Sequence, residues 1–312
     1  SQQEYLYQQL NNSDGLSSSY VNRIYQDKDQ LIWFATWDGL NFYDGALFHV
    51  FNYNKPGNNN TLGSNVVYQI TEDKQKNIWL GTAEGVSCFN KVTGRISNYF
   101  YHQSKAPGSG YFLALDSSGI IYAAPINRAA VHYYDEKTGS FKSCRVEGLG
   151  KAMIKKMAFD KSGRLWIFRN SGLDIFEKAG NRFRKIKSFG DNYQVDNLLF
   201  ANGSIFFTTR NKILFRVNEA LQAEKKLDLP FAVRSMTFYR QHFILAWSME
   251  GIGEYDLHFK EDPVVSGTVP QLKNFRINNV SSGADNTLWC GTDGSGIMKI
   301  YPKRNFFRTI HQ

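Results

Sequence analysis

Short apolar runs recur along this chain, each followed by a cluster of turn-forming residues. The clearest case is the stretch 77–90, NIWLGTAEGVSCFN. An apolar run carries Trp79 and ends in Gly81-Thr82; two residues later Gly85-Val86 opens a second run that ends at Phe89. β-Branched and aromatic residues bounded by glycine predict a strand, a tight turn and a strand. One such hairpin cannot bury both of its faces, so it needs further copies to pack against.

The copies are present. LIWFATWDGLNFYD at 31–44, RLWIFRNSGLDIFE at 164–177 and TLWCGTDGSGIMKIY at 287–301 place Trp33, Trp166 and Trp289 where Trp79 stands. Degenerate copies at 119–135, 203–216 and 242–256 put Tyr122, Phe206 and either Ile244 or Leu245 there. The markers at 33, 79, 122, 166, 206, about 245 and 289 are spaced roughly 39 to 46 residues apart. A period of about 40 to 45 residues with four short strands per unit is a propeller signature. The predicted fold is all-β: a single seven-bladed β-propeller of four-stranded antiparallel blades spanning residues 1–312.

Within the first unit, 21–26, 31–36, 40–43 and 48–53 read as strands running from inside to outside, and 66–71, 78–82, 86–89 and 96–101 repeat them. The third unit is irregular, with 106–110 as its entry loop, and 219–226 (EALQAEKK) reads as an outer-edge loop. Residues 4–10 and 306–310 both carry outer-strand patterns. Because an open sheet edge invites aggregation, 4–10 is expected to pair within the blade that contains 287–301. Asp27, Asp73, Asp116 and Asp160 sit between first and second strands, where Asp side chains cap turns. Asp27 and Asp29 lack the further oxygen ligands of a calcium loop.

Composition adds exclusions. Of 312 residues, 42% are hydrophobic and 15% aromatic, which suits a large strand-built core. There is no run of about 18 apolar residues that would span a membrane. The start, SQQEYLYQQL, has no apolar signal-peptide core and no initiator Met, and reads as a processed or recombinant fragment. The net charge of +9 is spread along the chain with no clustered basic stripe, so nucleic acid is not expected as a partner. Cys88, Cys144 and Cys290 fall in different repeats and read as buried thiols. His49, His102, His132, His242, His258 and His311 are scattered, and no metal site, cofactor motif or catalytic motif is found.

The repeat D-K-x-G-x-[IL]-W-[ILF]-G-T-x-x-G-[LIV], best developed around Trp33, Trp79, Trp166 and Trp289, resembles the two-component regulator propeller repeats of hybrid two-component sensors. The resemblance implies an inner-membrane protein of a polysaccharide-degrading gut bacterium. Its periplasmic part would consist of two seven-bladed propellers and a small β-sandwich, followed by a transmembrane helix, a histidine kinase and response-regulator parts. This chain would be the N-terminal propeller of that sensor region, in a parent expected to be a homodimer. The implied role is non-catalytic: detection of oligosaccharides from polysaccharide breakdown and control of genes for their uptake and digestion.

The recurring Trp residues read as core plugs between blades. Candidate ligand residues lie instead in the turns joining second and third strands, which a propeller gathers on one face. Asn127 with Arg128, Arg169 with Asn170, and Arg210 with Asn211 occupy these turns in three consecutive blades, while Asp38, Glu84, Glu250 and Asp293 occupy them elsewhere. Arg suits carboxylate or sulfate and Asn suits sugar hydroxyls. Trp37 and Trp247 are placed nearby for stacking. The expected ligand is an anionic or hydroxyl-rich oligosaccharide. Two other classes stay open: a protein–protein scaffold, and a propeller glycoside hydrolase or lyase of the streptogramin-inactivating type.

Overall fold

The computed structural model describes residues 3–52, 60–100, 110–151, 153–170, 172–190 and 193–304. The strands fall into seven blades. Blade one contains Val21–Gln26, Ile32–Thr36, Gly39–Tyr43 and Phe48–Phe51, and blade two contains Val67–Glu72, Ile78–Thr82, Gly85–Phe89 and Ile96–Tyr99. Blade three is Tyr111–Leu115, Ile121–Pro125, Val131–Asp135 and Ser140–Glu147; blade four is Ile154–Phe159, Leu165–Arg169, Gly172–Ala179 and Arg182–Phe189. Val195–Ala201, Ser204–Thr209, Ile213–Val217 and Ala223–Asp228 form blade five. Blade six has three strands, Val233–Tyr239, His242–Trp247 and Ile252–Tyr255. Blade seven combines Ile277–Ser282, Leu288–Thr292 and Ile297–Pro302 with the N-terminal strand Tyr5–Leu10, which pairs antiparallel with Ile297–Pro302. Both ends of the chain thus share one blade, as expected from the pattern at 4–10. The proposed strand at 306–310, the entry-loop residues 106–109, and His102 and His311 lie outside the described residues.

The second strands, such as Ile32–Thr36, Ile78–Thr82 and Leu288–Thr292, are buried along their whole length, because neighbouring blades cover both faces. Trp33, Trp79, Trp166 and Trp289 are all buried, as the repeat predicted. The Asp of the preceding turn has a second task that the pattern did not reveal. Asp27, Asp73 and Asp160 each accept a hydrogen bond on Oδ2 from the indole Nε1 six residues on, at 2.8, 2.7 and 2.8 Å. In blade seven the equivalent position is Gly283, and the buried Nε1 of Trp289 has no hydrogen-bond partner. Asp160 also accepts from the backbone N–H groups of Ser162 and Arg164 and from the Arg164 side chain. Replacing Asp160 with Ala should therefore cost about 1–3 kcal/mol, the usual penalty for leaving buried donors unpaired. A denaturation midpoint unchanged by that substitution would show the turn and the indole to be satisfied without it.

Two outer edges depart from the simple repeat. The segment read as a loop at 219–226 contributes an outer strand, Ala223–Asp228, paired antiparallel with Ile213–Val217. The outermost strands of blades three and four also join, parallel, through Arg145–Arg182, Val146–Phe183 and Glu147–Arg184 pairing. Glu147 bridges that junction, 3.1 Å from both Arg145 and Arg182. In blade six a loop takes the place of the fourth strand. The buried Glu254 carboxylate holds it by accepting from the N–H groups of Val265 and Ser266, each at 2.7 Å.

Candidate functional site

The innermost strands share a four-residue device. Six of the seven read apolar-x-x-apolar at their start: Val21-Asn22-Arg23-Ile24, Val67-Tyr68-Gln69-Ile70, Ile154-Lys155-Lys156-Met157, Val195-Asp196-Asn197-Leu198, Val233-Arg234-Ser235-Met236 and Ile277-Asn278-Asn279-Val280. In each of these strands the register to the second strand shifts between the first and third of the four residues. Such a bulge leaves one residue unpaired and re-aims the side chains around it. Two consecutive side chains can then face the axis, while the apolar residues on either side pack between blades.

The result is a central cavity of about 410 Å³ walled by all seven inner strands, with Phe112 standing for blade three. A single cavity touching every inner strand also shows the ring to be closed. Its cations are Arg23, Lys155, Lys156 and Arg234. Asp196 is the one carboxylate lining it among the described residues. The neutral polar groups make a fixed scaffold. The Oδ1 of Asn279 accepts from the N–H of Ile24 at 3.0 Å, its Nδ2 donates to Ser235 Oγ at 3.2 Å, and Gln69 Oε1 accepts from Leu113 N–H at 2.8 Å.

The cavity continues into a mouth of about 390 Å³, where Arg23, Tyr68 and Arg234 are joined by Asn22, Asn278, Asp293 and Trp37. The turns between second and third strands frame this mouth. Trp37, Ala83, Ile126, Arg210, Ser248 and Asp293 each donate a backbone N–H to the carbonyl just ahead of an inner strand, at Tyr20, Val66, Gly110, Gln194, Ala232 and Arg276. The turns therefore lie on one face, as the sequence led us to expect. The Thr of each Gly-Thr pair pins its turn: Thr82 Oγ1 donates to Gly85 O at 3.0 Å and accepts from Glu84 N–H at 3.2 Å. Gly39 closes the equivalent turn at φ 93°, where an added Cβ would lie 2.3 Å from the Phe51 carbonyl oxygen.

The eight residues singled out from the sequence separate into three groups. Trp37 is 53% exposed at the rim of the mouth, beside Arg23 and Arg234. Asn127, Arg128, Asn170, Arg210 and Asn211 are exposed in their turns on the same face, outside the channel lining. Arg210 lies close enough to Asp196 to oppose the rise that burial imposes on that carboxyl's pKa. The other two do not fit a ligand role. Arg169 is committed to the core: its Nε lies 2.9 Å from the buried Asp174 carboxylate, and its Nη2 is 3.4 Å from Ser188 Oγ. Trp247 is buried, edge-on to Phe231 and Tyr255, with Gly253 beneath it where no Cβ would fit. Position in the turn did not distinguish Arg169 from Arg210; the deciding residue is Asp174, one strand further on.

Electrostatics set the channel apart from the turns. Burial pushes the Arg23 guanidinium pKa down, and burial followed by Arg276 does the same at Arg234. Burial, then the neighbouring Arg23, brings the Lys156 ammonium down to about 8. The three thiols are buried and free, and burial pushes Cys144 up to about 11 and Cys290 up to about 12, so they are unreactive near neutral pH. The described histidines all lie away from the channel; His242, for instance, is 2.9 Å from Asp262 at the outer rim of blade six.

One cluster of acidic groups, Asp27, Asp29 and Glu72, has the ligand spacing of a metal site. It is already filled by a side chain. The Nζ of Lys91 lies 2.9, 2.8 and 3.0 Å from those three carboxylates, tying blade one to blade two.

The fold has solved counterparts. The extracellular domain of a protein described as a hybrid two-component system from B. thetaiotaomicron aligns with a TM-score of 0.75 at 23% identity, over 95% of this chain and 42% of that one. A second such domain from the same organism aligns with a TM-score of 0.72 at 18% identity, over 97% of this chain and 40% of that one. This chain thus spans less than half the length of either. Streptogramin B lyase aligns with a TM-score of 0.74 at 13% identity, over 96% of this chain and 98% of that one. Among curated proteins none is significantly similar in sequence. No helix among the described residues is long and apolar enough to cross a membrane. The family described as "Two component regulator propeller" matches residues 15–38 and 61–84, which cover the hairpin turns of Trp33 and Trp79. The chain is thus an all-β propeller in which two stretches, 15–38 and 61–84, match the two component regulator propeller family.

Proposed function

We propose that this propeller is the non-catalytic, ligand-sensing module of a hybrid two-component sensor, acting in the periplasm on oligosaccharides released from polysaccharides. It would be the N-terminal propeller of a membrane-anchored, homodimeric parent. A second propeller and a β-sandwich would carry the signal to the kinase. The observation that supports this most is the channel itself: a rigid polar cavity open to one face, with an exposed indole at its rim, in a chain with regulator repeats. Sugar sites combine such stacking surfaces with fixed hydrogen-bonding groups.

The arrangement favours binding over turnover. Glycoside hydrolysis needs two carboxylates facing each other across the sugar; among the described residues Asp196 is the one carboxylate lining the cavity, and Asp293 lines only its mouth. A histidine-to-alanine variant of virginiamycin B lyase from Staphylococcus aureus, which shares this fold, is described as catalytically inactive; no described histidine of this chain faces the cavity.

Calorimetric titration of neutral and anionic oligosaccharides, with each sugar analysed afterwards by mass spectrometry, tests the reading. Saturable binding with the sugar recovered intact is expected. Cleavage would make the protein an enzyme. Absence of binding both in the propeller and in the full sensor region would leave it a scaffold.

A further inference from the structure

Four cations face one channel, and none of them is in an ion pair among the described residues. Arg23 donates to the carbonyl of Asn22 at 2.7 Å; Arg234 donates to Asn278 Oδ1 at 2.8 Å and to the Ser248 carbonyl at 3.1 Å. The ammonium groups of Lys155 and Lys156 make no hydrogen bond or salt bridge among the described residues, though Lys155 acts on the Asp196 carboxylate electrostatically. They are adjacent because the bulge in Ile154–Phe159 falls between Ile154 and Lys156. Buried like charges are costly unless something neutralises them. Two other largely covered cations among the described residues are neutralised: Lys91 by three carboxylates, Arg169 by Asp174. The channel differs: Asp196 in the cavity and Asp293 at its mouth face four positive side chains, and neither carboxylate is ion-paired with any of them.

We propose that the channel is an anion-binding site, in which a sulfate or carboxylate group is held between Lys155, Lys156, Arg23 and Arg234. The proposal deepens the ligand-sensing reading and rests on it. It moves the charge recognition from the turns, where Arg169 is already paired, to the axis. Arg supplies planar, forked donors and Lys a movable point charge, a pairing suited to a tetrahedral or planar anion. The mouth, of about 390 Å³ and lined by Trp37, has room for the anion to arrive as part of a sugar or as a free ion.

The probe is sulfate, which remains a dianion across the useful pH range. Sodium sulfate is titrated calorimetrically against the protein, with sodium chloride at equal ionic strength as reference, and a sulfated disaccharide forms a second arm. Saturable sulfate binding supports a site for the free ion, and binding of the sulfated sugar alone supports one for a sugar-borne group. Lys155→Gln/Lys156→Gln should weaken either by about tenfold or more. Lys225→Gln/Lys226→Gln, on an outer strand, removes the same charge and should leave binding unchanged. The Lys156 change should not harm folding, because burial already disfavours its charged form. Binding should also fall as pH rises through about 8, where Lys156 loses its proton. The charged and titratable groups facing it from the other inner strands are Arg23, Arg234, Asp196 and the Tyr68 hydroxyl, with Lys155 beside it on its own strand.

No preference for sulfate or the sulfated sugar over chloride would overturn the proposal. So would equal losses in the two double variants. Neutral oligosaccharide binding that survives Lys155→Gln/Lys156→Gln keeps the sensing reading intact even if the anion site fails.

Discussion

Lys91→Met is expected to destabilise the protein by about 3–5 kcal/mol at neutral pH, the cost of stranding buried charges whose partner has been removed. The Lys91 ammonium is nearly covered, and Asp27 and Glu72 are fully so. Burial works against its charge, but the hydrogen bonds that it donates to Asp29, Asp27 and Glu72 outweigh it, and the net effect raises the pKa above the ordinary lysine value. A cation with a raised folded pKa stabilises fully below its unfolded value, near 10.4, and the contribution is lost as pH climbs beyond that. Asp29 is shifted the other way, to about 2, by Lys76 and Lys91. Its contribution holds above about pH 4 and fades as pH falls toward 2. In the variant the carboxylates gain by taking up protons, so its stability should rise as pH is lowered from 7 to 5. Equal melting midpoints for variant and wild type across that range would show that the cluster does not join the two blades.

Trp79→Ala is expected to cost about 3–5 kcal/mol, as for other large buried aromatics. The ring is 1% exposed and lies between blades, 4.7 Å from Tyr134 and 5.9 Å from Phe141 of blade three, and 5.6 Å from Tyr99 of its own blade. Its loss would also leave the Asp73 carboxylate short of one donor. Trp37→Ala is the contrast. That indole is exposed at the mouth, and removing it should change stability by no more than about 0.5 kcal/mol. Comparable midpoint losses in the two variants would mean that the blade interfaces do not depend on the repeated Trp.

Much of this architecture was legible in the sequence because it is local and repeated. Trp33, Trp79, Trp166 and Trp289 mark second strands buried on both faces, so their apolar runs stand out. The strand at Ala223–Asp228 was missed for the opposite reason. Outermost strands have little to bury, so AEKKLD shows no alternation to read. The apolar-x-x-apolar pattern of the bulged strands was not recognised from the sequence, because a pair such as Lys155-Lys156 looks like solvated charge until seven strands close around it. Arg169 and Trp247 illustrate the limit of counting turn positions: whether a side chain turns inward depends on Asp174 and Gly253, which belong to the following strand. Lys91 depends on Asp27 and Asp29 from the previous blade, a long-range pairing that no local pattern encodes.

We propose that ligand recognition lies on the propeller axis. A crystal structure of the protein with the tightest-binding oligosaccharide from the titration tests this most directly. Sugar density at the mouth, against Trp37, with any anionic group reaching Lys155, Lys156, Arg23 or Arg234, is the result expected. Sugar density on the outer strands or in a cleft between blade rims, with the channel holding only water, would contradict it.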